Sequence, residues 1–173
     1  MATAIFDYTA NAGTNGQRGR TTTLNALKFT IASSKVIKYY IIQMLRYHTG
    51  SYARVCLYTH NSGTDLPDTI IADSTVLKAE SAMTESFVQY QLDIASPPTL
   101  EAGTYWMVMD DNADTSAYVL SGLNTTAGND GVRKIYAGTA STMYKWGWGL
   151  WADEPAGGTV LPVFLNLQRQ FRN

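Results

Sequence analysis

The sequence predicts an all-β fold, a single-domain antiparallel β-sandwich of jelly-roll-like type, and three observations lead there. Short apolar runs alternate with turn clusters along almost the whole chain, the pattern of a sandwich or barrel. Of 173 residues only 16% are charged while 12% are aromatic, eleven of them Tyr. A surface of Thr, Ser, Asn and Tyr suits strands better than helices. No internal repeat, charge block or linker divides the chain, and a chain of this length buries about two-thirds of its unfolded surface without staples.

Strands are expected over residues 4–7, 24–33, 36–47, 53–60, 70–78, 87–94, 104–110, 117–123, 133–137, 144–151 and 160–168. Residues 1–23 read as an N-terminal arm or first short strand, and 24–173 as the sandwich. Between the runs lie Thr49-Gly50-Ser51, Asn61-Ser62-Gly63-Thr64-Asp65, Ser96-Pro97-Pro98 and Asn129-Asp130-Gly131. Glycine supplies positive φ, proline fixes φ, and Asn or Asp bonds its own backbone. Asn129-Asp130-Gly131 is the strongest hairpin signal, because tight hairpins want positive φ at their centre. Ala156-Gly157-Gly158-Thr159 reads as the loop before a closing strand.

The segment 36–47 carries two periodicities. Ile37, Ile41, Met44, Leu45 and His48 fall at helical spacing, yet β-branched and aromatic residues favour a strand, which is the assignment made here. As a strand it places Ile37, Tyr39, Ile41, Leu45 and Tyr47 on one face and Val36, Tyr40, Ile42 and Met44 on the other. Both faces are apolar, whereas an antiparallel sandwich strand needs only one. Either a loop or the N-terminal arm covers the outer face, or a neighbouring subunit does; the sequence leaves both open.

In Tyr144-Lys145-Trp146-Gly147-Trp148-Gly149-Leu150-Trp151, alternation puts Tyr144, Trp146, Trp148 and Leu150 together. The opposite face carries Lys145, Gly147 and Gly149, where glycines let a backbone or a ligand approach closely. Trp148 reads as core, since indoles bury large area. Trp146 and Trp151 stay open between core filling and an aromatic platform for sugar rings.

Reactive chemistry is sparse. His48 and His60 are too far apart for a helical metal pair and lack Cys or His neighbours, so no zinc site is expected. There is no G-x-S-x-G elbow. Gly13-Thr14-Asn15-Gly16-Gln17-Arg18-Gly19-Arg20 is glycine-rich and basic but lacks the Lys-Ser/Thr pair of a P-loop. It reads as a flexible arm or long loop whose Arg18 and Arg20 can pair with carboxylates on a partner. Asp110, Asn112 and Asp114 begin like an EF-hand, but Thr115 replaces the required glycine and Ser121 the bidentate Glu. A looser calcium site at that loop stays open; otherwise no metal and no cofactor is expected. Cys56, the lone cysteine, reads as a buried small hydrophobe.

With a formal net charge of −1 the chain has no electrostatic footprint for nucleic acid or an anionic membrane. Its opening residues carry no secretory signal, so assembly in a host cytoplasm is expected.

The order of motifs resembles a known group. Lys28-Phe29-Thr30-Ile31 and Ile37-x-x-x-Ile41 precede Arg54-Val55-Cys56-Leu57-Tyr58-Thr59-x-x-x-Gly63-x-x-Leu66-Pro67. Phe87-x-x-Tyr90-x-Leu92 and Leu100-x-Ala102-Gly103-Thr104-Tyr105-Trp106-Met107-Val108 follow. This resembles the jelly-roll accessory domains of tailed-bacteriophage virion proteins and bacterial surface proteins, over residues 24–167. The resemblance implies head decoration or cement proteins, tail-fibre modules or carbohydrate-binding modules, and it supplies no catalytic residues.

The expectation is therefore a non-enzymatic virion structural protein, a capsid decoration or cement subunit on the virion surface that binds major capsid protein. Arg18, Arg20, Val36, Tyr40, Ile42 and Met44 are its expected contact residues, and self-association is left open. The alternative is a glycan-binding module of a tail fibre or adhesin, with Trp146, Trp151, Asp110, Asn112 and Asp114 at the site.

Overall fold

The computed structural model describes residues 1–9, 15–18, 23–46, 52–111, 119–124, 132–136 and 139–156. Residues 15–18, 23–24, 110–111, 119–124, 132–136 and 139–146 are described as backbone. Among the described residues there are fourteen strands. They are β1 (Thr3–Asp7), β2 (Asn15–Arg18), β3 (Thr23–Ile31), β4 (Lys35–Arg46), β5 (Tyr52–Asn61), β6 (Leu66–Ile70) and β7 (Val76–Ala79). There follow β8 (Val88–Asp93), β9 (Thr99–Leu100), β10 (Gly103–Asp111), β11 (Val119–Asn124), β12 (Val132–Tyr136), β13 (Thr139–Trp146) and β14 (Trp148–Asp153). One 3-10 turn, Glu80–Ala82, sits between β7 and β8.

All pairing is antiparallel, in two layers. In the first, β14 lies between β1 and β4; β8 and β9 also pair with β4, and β11 pairs with both β4 and β2. In the second, β12, β3, β10 and β5 run side by side, with β6 and β7 pairing along β5. Strand β13 joins the layers: its end pairs with β11 through Trp146 and Lys145, and its earlier part pairs with β12. Connections β3–β4, β4–β5, β7–β8 and β9–β10 each cross from one layer to the other, as in a jelly roll. The chain is an all-β sandwich whose main core, among the described residues, lies between the layers.

That core is the inner face of both layers. Leu27, Phe29 and Ile31 of β3, Val55 and Leu57 of β5, and Met107 and Met109 of β10 meet Tyr40, Ile42 and Met44 of β4 and Trp148 and Leu150 of β14. Each strand contributes alternate residues, the period a pleated strand imposes. Aromatic contacts run on from β1 across to β10: Phe6 on Phe29 at 5.6 Å, then Phe29 on Tyr105 at 5.9 Å between ring centroids.

One departure from alternation explains β4. Trp151 pairs with Tyr39 but Ala152 pairs with Ile37, so Lys38 is an extra residue on β4. This bulge lets Ile37 point inward with Tyr40, Ile42 and Met44. The sequence reading grouped Ile37 with Tyr39 and Ile41 and missed it.

A buried polar clip ties the layers together. The Tyr40 hydroxyl donates to the Ser74 carbonyl at 2.7 Å, and Ser74 Oγ accepts from the Leu57 amide at 3.0 Å while donating to the Ile71 carbonyl at 2.7 Å. Ser74 thus serves β4 in one layer and β5 in the other. The turn that delivers it holds Asp73 at φ 62°, a left-handed conformation that Asp tolerates. Burial pushes the Tyr40 phenol far above its ordinary pKa of 10.0, so it donates at any ordinary pH. Asn25, also fully buried, has no hydrogen-bond partner for its side-chain oxygen or nitrogen among the described residues.

The expected strand at 70–78 overlaps only the last residue of β6, then passes through the Ser74 turn into β7, and β6 itself begins at Leu66, ahead of the expected bound. The expected strand at 144–151 is divided at Gly147, where the chain passes from β13 to β14. The segment read as an arm contains β2, whose backbone pairs with β11 from Leu120↔Arg18 to Leu123↔Asn15. It carries no apolar alternation, so side-chain pattern gave no sign of it. The turns at 49–51, 129–131 and 157–159 and the strand at 160–168 lie outside the described residues.

Candidate functional site

Once the core is removed, each layer presents an outer face, and each carries a distinct constellation. On the first layer Gly149 and Trp151 point away from the core, alternating with buried Trp148, Leu150 and Ala152. The Trp151 indole leans along its own strand over Gly149. A Cβ at Gly149 would lie 2.2 Å from the Trp151 ring, so only glycine fits beneath it. Beside it Tyr39 stacks at 5.3 Å between centroids with the planes 15° apart. The glycines that the sequence offered to a ligand or another backbone accommodate, at position 149, the protein's own indole.

Two rows of cross-strand partners surround this pair. One runs Ala4, Trp151, Tyr39, Asp93 and the other Asp7, Gly149, Ile41, Gln91, across β1, β14, β4 and β8. Directly opposed residues share a face, so all eight belong to one surface. Asp7 Oδ1 accepts from the amide and hydroxyl of Thr9, and Gln91 donates to Asp93 at 2.8 Å.

On the second layer the outer face has a small buried cluster of its own, Ala26, Cys56, Trp106 and Val108, with Tyr58 and Leu66 packed against it. Trp106 Nε1 donates to His60 Nδ1 at 3.0 Å, which makes that imidazole nitrogen an acceptor. Lys28 pairs with Asp65 at 2.6 Å and lies 5.7 Å from the Trp106 ring centroid. The Asn61–Asp65 turn holds these groups: Asn61 Oδ1 accepts from the Gly63 and Thr64 amides. Toward the sheet edge Ile70 opposes Tyr58 and Leu77 opposes Arg54, with Tyr52 on the same face. Tyr52, Ile70 and Leu77 are 46%, 40% and 57% exposed, high values for large apolar side chains.

The expected site residues separate. Tyr40, Ile42 and Met44 are fully buried between the layers, so the face assigned to a partner is the core face; this corrects the sequence reading. Val36 is half-buried at the start of β4, paired with Thr99 and Asp153. Arg18, Asp110 and Trp146 are placed on β2, β10 and β13 by their backbone. Arg20, Asn112 and Asp114 lie outside the described residues. Trp151 is on the outer surface, with Tyr39, Asp7, Gln91 and Asp93 as neighbours that the sequence reading did not select. Cys56 is buried, as expected. Among the described residues no three His, Cys, Asp or Glu side chains converge.

No protein-family model matches the chain, and no curated protein is significantly similar to it.

Proposed function

We propose that the chain is a non-enzymatic structural protein of a tailed-bacteriophage particle, a decoration or cement subunit that stabilises the head by gripping major capsid protein. The observation that carries this reading is the apolar margin formed by Tyr52, Ile70 and Leu77 along β5, β6 and β7. Large apolar side chains gathered at a sheet edge are what a protein contact removes from water, at roughly 25 cal/mol per Å². The edge strands are only five and four residues long. That brevity limits open-ended strand pairing while leaving the side chains available. The particle context comes from the resemblance of the motif order to virion accessory domains.

The test is co-sedimentation of the purified protein with capsids assembled from major capsid protein alone. The native chain is expected to pellet with capsids and raise their thermal stability, while Leu77→Lys stays in the supernatant with its fold intact. Capsids that neither bind nor gain stability would remove the proposal. A second reading, a glycan-binding module of a tail fibre or adhesin, is favoured by the Tyr39–Trp151 pair on the opposite layer.

A further inference from the structure

We propose that the outer face of the first layer, centred on Trp151, is a binding platform for neutral pyranose sugars. This rests on the glycan reading and is independent of capsid attachment, which uses the other layer. Trp151 and Tyr39 are stacked on an outward face, and Trp151 is held by two devices: the Tyr39 ring on one side and the missing Cβ of Gly149 beneath. On its other side the cross-strand neighbour is Ala4, a methyl group, so no bulky side chain stands opposite the indole there.

Two β-bulges flank this tryptophan. Lys38 is the extra residue on β4, and Ile5 is the extra residue on β1, where Ala4 pairs with Trp151 and Phe6 with Leu150. Bulges re-aim side chains and recur beside functional sites.

The polar groups around the pair have the chemistry that sugar hydroxyls need. Asp7, Gln91 and Asp93 are exposed on the same face. Carboxylates accept hydroxyl hydrogens in short, charge-assisted bonds, and an amide both donates and accepts. Neither Asp7 nor Asp93 forms an ion pair among the described residues. Two uncompensated carboxylates repel an acidic sugar, which selects neutral rings. Four strands at about 4.8 Å spacing give a face about 14 Å across, room for two or three linked pyranoses. The C–H face of a pyranose lies flat on an indole, and the rim carboxylates fix its hydroxyls, the division between apolar area and a few polar anchors usual in ligand sites.

The experiment is a titration of the full chain with maltotriose, cellotriose, chitotriose and lactose, with sialyllactose as the acidic counterpart. Binding is followed by calorimetry and by the Trp151 indole N–H resonance. At least one neutral sugar is expected to bind and shift that resonance, and sialyllactose to bind more weakly than lactose. Trp151→Ala and, separately, the Asp7→Ala/Asp93→Ala double variant are expected to weaken binding by about tenfold or more. The double variant alters only exposed carboxylates, so it decides the matter even where Trp151→Ala disturbs folding. No neutral sugar bound at millimolar concentration, native affinity in the double variant, or preference for sialyllactose each overturns the proposal. Leu77→Lys reads capsid attachment separately, so failure of one function does not mask the other.

Discussion

Gly149 and Trp151 form a coupled pair two residues apart on one strand. A methyl at position 149 would meet the indole at 2.2 Å, so Gly149→Ala must push Trp151 off Tyr39. Because the obstructing atoms belong to a side chain, the cost should be modest, about 1–2 kcal/mol. In a Trp151→Ala background the same substitution should cost little, and a double-mutant cycle by urea unfolding measures the difference. Equal costs in both backgrounds would mean the indole is not seated there. Asn25 makes the converse case. A fully buried amide with no partner among the described residues carries its desolvation penalty uncompensated. Asn25→Leu should therefore leave stability unchanged or raise it by about 1–3 kcal/mol, and a clear loss in denaturant midpoint would show an unseen partner.

Tyr40 adds a pH dependence at the same scale. Its phenol is pushed up by burial, so the folded chain holds the proton more tightly than the unfolded chain does. The resulting stability is fully present below the ordinary phenol pKa of 10.0 and is lost progressively as pH rises above it. Tyr40→Phe should cost about 1–3 kcal/mol near neutrality, because the buried Ser74 carbonyl loses its donor. It should also flatten the alkaline limb of a stability–pH profile. An alkaline limb as steep as that of the native protein would assign the titration elsewhere.

At the scale of elements, most strands were legible because alternation and turn chemistry agree. Apolar runs in β5, β8 and β10 end at Asn or Asp and that of β3 runs into Ser33-Ser34, and their expected bounds fall within about two residues of those observed. Two features escaped for a plain physical reason. β2 is held by backbone pairing with β11, and backbone bonds leave no side-chain pattern. The Lys38 bulge shifts the parity of β4, so a correct strand yielded wrong faces and placed core residues at an interface. The candidate site was half legible. Trp151 stood out as a tryptophan near glycines, but Asp7, Tyr39, Gln91 and Asp93 are brought to it only by the register of four strands. At the opposite margin, β6 and β7 carry the exposed Ile70 and Leu77, and Leu77→Lys is expected to abolish capsid binding while leaving the sandwich intact.

On the scale of the whole molecule, the two layers divide the work. The inner faces supply one continuous core, clipped across by Tyr40 and Ser74. The outer faces carry the two proposed recognition surfaces: an apolar margin on one layer and an aromatic, acid-rimmed platform on the other. In the proposed reading a subunit built this way attaches to a particle by one side and presents the other outward, an arrangement that would serve both a cement role and a sugar-binding role. The central claim is attachment, and copy number in purified particles tests it most directly. The account expects the chain in a simple fixed ratio to major capsid protein, with particles that lack it less stable to heat. Particles that contain none of it, with unchanged stability, would contradict the account.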